Sequence, residues 1–248
     1  MDLGPCRCPL DGAPLIEAGG AAACPQGHRF PIAGGFVDLA TEPVVHEFGW
    51  LRALLYDRLL EPLTLRRLFG VSGAQVAALH GRAIAAAGPG VVADVPCGSG
   101  LFSVAAAGRQ GVARYLGLDA SGAMLRRARR RITHAGVEAL LVRGDLSAIP
   151  FRDGIADAVV SSLGLQFVPD HERALGELRR ILKPQGHLLA IAPALGLREA
   201  YDRRHARRAR QDFPLDRDRL EAQLEATGLT GATVEAAGAL LIVRATAR

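Results

Sequence analysis

The stretch VVADVPCGSG, residues 91–100, places an acid, Asp94, at the end of an apolar run and follows it with Gly98 and Gly100. A short apolar run bounded by turn residues reads as a buried strand, so Asp94 stands at its carboxyl tip. Glycines there free φ and let the backbone approach a ligand. A helix starting just beyond would turn unpaired N–H groups toward the same spot. In an open parallel sheet, ligands sit outside the carboxyl ends of the strands, so the geometry suits a nucleotide-like molecule. The G-x-G spacing alone fits any tight strand–helix turn; the acids narrow the choice. Asp94 precedes the glycines, where a pyrophosphate would meet neutral N–H groups, and a carboxylate there suits a cationic ligand. Asp119 ends the next apolar run, ARYLGLD, where acids hold ribose hydroxyls. Asp145, in RGDLSAIPF, ends a third and is placed to accept from an exocyclic amine.

Two details count against a nicotinamide dinucleotide. Ser103 stands where the dinucleotide fingerprint has its third glycine. Asp94 and Asp119 are 25 positions apart, against about 20 between that fingerprint and its acid.

The elements that must position these acids alternate from residue 91 onward. VVADV, ARYLGLD, EALLVRGD, ADAVVSS and GHLLAIAP read as strands. A helix starts in GLFSVAAAG. SGAMLRRARRRITHAG is a helix with Ser121 as N-cap, and DHERALGELRRILKP is one opened by Asp170 and stopped by Pro184. Such alternation predicts an α/β fold, a mostly parallel sheet with helices on both faces. The final GATVEAAGALLIVRATAR reads as two strands joined at Ala237-Gly238, an antiparallel hairpin added at the edge. Ser72 caps a further helix that ends near Gly88-Pro89. Residues 44–69 carry apolar positions at spacings of three and four, broken by Pro62, which predicts two helices or a kink. Residues 1–40 are rich in Gly, Pro and Ala, with two short strands expected around Gly34-Gly35. A module of that size buries little core and needs a staple. The expected division is a small module at 1–40, a helical lid or linker at 41–71, and the main domain at 72–248.

The chain has 248 residues, about half of them hydrophobic, and a net charge of +5. That charge permits an anionic partner without demanding one. Neither an 18-residue apolar run nor a basic-then-apolar leader is visible, so a cytoplasmic protein without a membrane span is expected. The four cysteines then read as thiols or metal ligands rather than disulfides. Nothing in the sequence specifies an oligomeric state.

Taken together, VVADVPCGSGLFS, YLGLDASGAMLRRAR, VRGDLSAIPFRDGIADAVVSSLGLQFVPD and ALGELRRILKPQGHLL resemble the class I S-adenosylmethionine-dependent methyltransferases, in that family's order, over roughly residues 72–246. The resemblance implies a Rossmann-like seven-stranded sheet whose last strand is antiparallel. It implies that Asp94, Pro96, Cys97, Gly98 and Gly100 surround the methionine half of S-adenosylmethionine, with Asp94 orienting its ammonium group. By the same resemblance Asp119 takes both ribose hydroxyls, and Ala120 and Met124 pack on the adenine. Asp145 takes the adenine amino group, Leu146 lines the ring, and Ser161 lies beside the methionine portion. Methyl transfer from a sulfonium is an in-line displacement that works largely by alignment, so no triad is required and none is seen. Acceptor-side candidates are Tyr56, Gln166, Tyr201 and His205.

The opening residues resemble the zinc-ribbon-like module of the ribosomal RNA guanine-N1 methyltransferases, through CPLD, CPQGHRF and the glycine-aromatic turn. That resemblance implies zinc held by Cys8, Cys24 and His28, with Cys6 or Asp11 as fourth ligand. Cys6, two residues before Cys8, completes an all Cys/His set; Asp11 stands where the family has its second cysteine. Further along, SSLGLQFVPDHERALGELRRILKP looks more like the small-molecule methyltransferases of quinone biosynthesis. The reading is therefore a methyltransferase for a small-molecule acceptor, with a ribosomal RNA guanine as the alternative. From other classes, a nicotinamide-dependent oxidoreductase and a non-catalytic partner subunit complete the field.

Overall fold

The computed structural model describes residues 1–41, 61–206 and 213–248. Its strands are β1 Ile16–Ala18, β2 Ala21–Ala23, β3 Arg29–Ala33, β4 Phe36–Asp38, β5 Val91–Asp94, β6 Arg114–Asp119, β7 Ala139–Arg143, β8 Ala156–Ser162, β9 Leu182–Pro193, β10 Leu229–Ala237 and β11 Leu240–Ala247. They join in the order β1-β2-β3-β4-β7-β6-β5-β8-β9-β11-β10. From β7 to β10 this is the expected seven-stranded sheet, parallel from β7 through β9. The last strand, β11, runs antiparallel between β9 and β10. The terminal hairpin thus lies at the edge as expected, with β11 against β9 and β10 as the border.

Helices cover both faces. They are α1 Glu61–Thr64, which continues as a π-helical turn Leu65–Phe69, α2 Gly73–Ala86, α3 Val104–Gln110, α4 Gly122–Ala135, α5 His171–Ile181, α6 Glu199–Ala206 and α7 Arg217–Ala226. Strand alternation divides the core. Leu116, Leu118, Leu140 and Val142 point to the face covered by Leu175 and Leu178 of α5 and Leu220 and Leu224 of α7. Tyr115 and Leu141 point to the opposite face, against Val76 and Ile84 of α2 and Leu125 and Ile132 of α4. Among the described residues no helix is long and apolar enough to cross a membrane.

Three helix starts follow their caps. Ser72 forms a capping box with Gln75. Ser121 accepts from Met124 N at 3.4 Å, and Asp170 accepts from Arg173 N at 2.9 Å. Two expected boundaries move. The glycine turn runs on through Ser103, so α3 begins only at Val104. Helix α5 ends at Ile181 and β9 starts at Leu182, so Pro184 lies inside a strand instead of terminating the helix. Most of the 44–69 segment lies outside the described residues.

Residues 1–40 hold the two expected strands, β3 and β4, and the β1–β2 hairpin, which the sequence reading did not anticipate. Strand β4 pairs in parallel with β7, aligning Asp38 with Arg143. Arg143 Nη1 donates to Asp38 Oδ2 at 2.9 Å, and Arg143 Nε donates to Ala120 O at 3.0 Å. One side chain therefore ties the amino-terminal strands to the turn after Asp119. A second seam joins Arg7 N to Pro150 O at 3.0 Å and Arg152 N to Pro5 O at 2.9 Å.

Candidate active site

Strands β5 and β6 are parallel neighbours, so Asp94 and Asp119 emerge side by side at one end of the sheet. Asp94 is 2% exposed. Its Oδ2 accepts from Tyr115 Oη at 2.7 Å and from Ser103 Oγ. Burial raises its carboxyl to about 7, and the nearby Asp119 charge pushes the same way, against the two hydroxyls that favour the anion. Asp119 is also buried. Its Oδ2 accepts from Gly98 N and its Oδ1 from Ser121 N, each at 2.8 Å. Burial raises it to about 6 in spite of those N–H donors. The Gly98 N–H therefore serves the Asp119 carboxylate. Gly98 sits at φ 53 with open space where a Cβ would stand, so the turn needs glycine for its conformation. Two acids that hold their protons near neutrality form a site prepared for positive charge: a cation beside them favours their ionised forms.

A cleft of about 660 Å³ opens beside these tips. Of the sequence-named residues, Asp94, Pro96, Cys97, Gly98, Asp119, Ala120, Met124, Asp145, Leu146 and Gln166 line it. Asp145 is exposed, and its Oδ1 accepts from Ser147 N at 2.8 Å. Burial pushes the Cys97 thiol well above its ordinary value, so it stays protonated and is no nucleophile.

Three named residues lie off the cleft wall. Gly100, at φ 71, packs inward where a Cβ would meet Val104 Cγ2 at 2.5 Å. Ser161 is fully buried on the other face of β8, and its neighbour Ser162 lines the cleft instead. Tyr201 is buried with its ring 5.5 Å from that of Phe69. His205 belongs to α6, with its side chain outside the description, and Tyr56 lies outside the described residues.

Near the mouth of the cleft, Cys8, Asp11, Cys24 and His28 bring four potential ligand atoms within 4.8 Å of one another. His28 Nδ1 lies 3.5 Å from Cys8 Sγ, 3.4 Å from Cys24 Sγ and 3.0 Å from Asp11 Oδ2. Around an ion with tetrahedral bonds of 2.0–2.3 Å, ligand atoms fall about 3.3–3.7 Å apart, so the two sulfur separations fit such an ion and the Asp11 oxygen sits somewhat closer. Cys6 is not in this group. Its backbone bridges to Phe151, and its thiol is wholly buried and raised to about 12 by that burial. The fourth residue of the cluster is therefore Asp11 rather than Cys6. The reason is local: residues 5–7 are drawn into pairing with 150–152, which turns the Cys6 side chain into the core. Pro9, adjacent to Cys8, lines the cleft itself.

His80, which the sequence reading passed over, also lines the cleft while only 2% exposed. Its Nε2 is 2.6 Å from Ser162 Oγ. The available signal was one polar side chain, in AALHGRA, on the buried face of an otherwise alanine-rich helix.

The comparisons agree with this geometry. Residues 93–190 match the family model described as a methyltransferase domain. The demethylmenaquinone methyltransferase of Thermus thermophilus is 36% identical over 103 residues, 42% of this chain and 47% of that protein. An uncharacterized protein of Mycobacterium tuberculosis is 37% identical over 111 residues, 44% of this chain and 40% of that one. The chain thus spans under half the length of these curated relatives. A solved S-adenosylmethionine-dependent methyltransferase from Thermotoga maritima is similar in fold, with a TM-score of 0.53 and 20% identity, covering 80% of this chain and 98% of that one. Sequence match and sheet order together make residues 93–190 similar to a methyltransferase domain.

Proposed function

We propose that the protein is an S-adenosylmethionine-dependent methyltransferase acting on a small-molecule acceptor. The observation that carries this reading is the pair Asp94 and Asp119, buried at adjacent strand tips in one cleft and holding protons near neutrality. That pair favours a ligand with positive charge and hydroxyls to donate. Asp119, oriented by two N–H donors, keeps lone pairs for ribose hydroxyls. Asp94 would face the ammonium end, and Pro96, Cys97 and Gly98 would wall the methionine half. Ala120 and Met124 would pack on the adenine, with Asp145 at its amino group and Leu146 along the ring. The donor supplies an activated methyl group; the cleft's task is to align an acceptor and exclude water. Relatives named demethylmenaquinone methyltransferase support a small-molecule acceptor.

In this reading Cys8, Asp11, Cys24 and His28 hold a structural zinc ion that fastens the amino-terminal strands beside the cleft. The same cluster, with the net charge of +5, favours the second reading, methylation of an RNA base. Tritiated methyl transfer from S-adenosylmethionine to a metabolite extract and to ribosomal RNA separates the two. Label in the small-molecule fraction is expected. Label confined to RNA would make the second reading the right one, and no donor binding by calorimetry would reject both.

A further inference from the structure

We infer that Ser162 and His80 form the acceptor subsite, and that the acceptor is an apolar, ring-sized molecule methylated on a hydroxyl oxygen that Ser162 binds; this rests on the methyltransferase reading above. Ser162 is half-buried at the end of β8 and lines the cleft, with its Oγ 2.6 Å from His80 Nε2. His80 Nδ1 is buried without a hydrogen-bond partner among the described residues. The ring packs 5.8 Å from that of Phe102. A buried imidazole with one committed nitrogen is costly to keep for packing alone. Leu65, Phe69, Leu101, Phe102 and Leu163 give the cleft an apolar share of its wall, alongside polar residues such as Thr64, Gln166 and Arg204. One hydroxyl-bearing ring fits against these apolar side chains.

The turn that presents Ser162 is unusual in its backbone. Leu163 adopts φ 57, the left-handed region that disfavours a side chain, and its N–H is held by Ile191 O at 2.8 Å. At the next residue, Gly164, any Cβ would lie 2.2 Å from Pro96 Cγ, so β8 is locked onto the cofactor-side turn. These constraints fix where Ser162 points.

The step balances as follows. An oxygen lone pair of the acceptor forms the new C–O bond as the methyl C–S bond breaks, and that electron pair stays on sulfur. The hydroxyl proton passes to Ser162 Oγ as the Ser162 proton passes to His80 Nε2. Before transfer the cleft already carries the donor's positive charge, so a neutral imidazole is needed. Burial keeps His80 neutral, lowering it to about 4. Transfer removes the sulfonium charge as the imidazolium forms, so the net charge of the cleft is unchanged. His80, acting through Ser162, is a positioning residue.

The test uses 2-naphthol, read by its own fluorescence, with naphthalene as the probe lacking a hydroxyl. Calorimetry first establishes that wild type, Ser162→Ala and His80→Gln bind S-adenosylhomocysteine alike. On the loaded wild type, 2-naphthol should bind roughly tenfold more tightly than naphthalene, the worth of one hydrogen bond, and Ser162→Ala should erase the difference. With S-adenosylmethionine the wild type should form 2-methoxynaphthalene. His80→Gln should lower kcat by about 10²–10⁴-fold, as for loss of a general base, with KM little changed. Equal binding of the two probes, methylation on carbon, or full turnover by His80→Gln would overturn the proposal. If His80→Gln does not fold, Ser162→Ala decides by the binding comparison. A wild type that fails to bind S-adenosylhomocysteine would sink the methyltransferase reading itself. Binding without a hydroxyl preference would sink this inference alone.

Discussion

The carboxylate cleft and the amino-terminal thiol cluster are both groups of ligand atoms gathered from distant positions, yet they are held by different means. Asp94 and Asp119 stand on central strands, and hydroxyl or N–H donors already orient each. Cys8 and Asp11 precede β1, and Cys24 and His28 stand in the β2–β3 turn, beside strands of three to five residues. The cleft is preorganised by the sheet and needs no ligand to keep its shape. In the proposed reading, the cluster with its ion adds to what holds its own segment together. Function in the first case and stability in the second should therefore separate under mutation.

The largest expected effect is on ligand affinity. Asp119→Ala removes a charged acceptor from a buried site, and calorimetry should show S-adenosylmethionine binding about 10²-fold weaker. The thermal midpoint should change little, because the costly buried carboxylate goes together with its bonds from Gly98 N and Ser121 N. Equal losses of affinity and stability would erase the contrast with the cluster.

Chelation of bound metal, or Cys24→Ser, should act the opposite way. An ion present at about 1,000 times its Kd contributes about 4 kcal/mol, which corresponds to a fall of roughly 10 °C in a chain of this size. Donor affinity should change far less than in Asp119→Ala. A midpoint indifferent to chelation, together with protein purified free of zinc by elemental analysis, would remove the metal from the account.

Smallest is the link between the two regions. Arg143→Ala deletes the bonds to Asp38 and Ala120 O and should cost about 1 kcal/mol, a midpoint drop of roughly 2–4 °C. Because Ala120 follows Asp119 directly, a several-fold loss of donor affinity in this variant would mean that the amino-terminal strands help shape the cleft at Asp119.

The sequence carried the cleft further than it carried the cluster, for physical reasons. Acids at strand tips follow from periodicity, since apolar runs such as VVADV and RYLGLD mark where a strand ends. Side-chain caps made the starts of α2, α4 and α5 readable at Ser72, Ser121 and Asp170. A strand's period of two is less forgiving: Ser161 and Ser162 are adjacent and face opposite sides. Proximity in sequence likewise suggested Cys6 beside Cys8, whereas long-range pairing with residues 150–152 turned it inward and left the corner to Asp11. The parallel β4–β7 contact and the His80–Ser162 pair, 82 positions apart, are products of tertiary structure with no local signature.

The central claim is that buried carboxylates receive a cationic donor, and proton linkage tests it most directly. Burial raises Asp94 to about 7 and Asp119 to about 6, from 3.8 in the unfolded chain. Their extra proton affinity favours the fold below pH 3.8, and that contribution is lost as pH rises through 6 and 7. A cationic donor must displace those protons. Calorimetry at pH 6 in buffers of different ionisation enthalpy should therefore show proton release on S-adenosylmethionine binding. Affinity should climb from pH 5 by up to about a hundredfold per unit while both protons are displaced, by up to about tenfold per unit between pH 6 and 7, and level off above about pH 7. Affinity that is flat or falling over that range, with no proton released, would contradict the account.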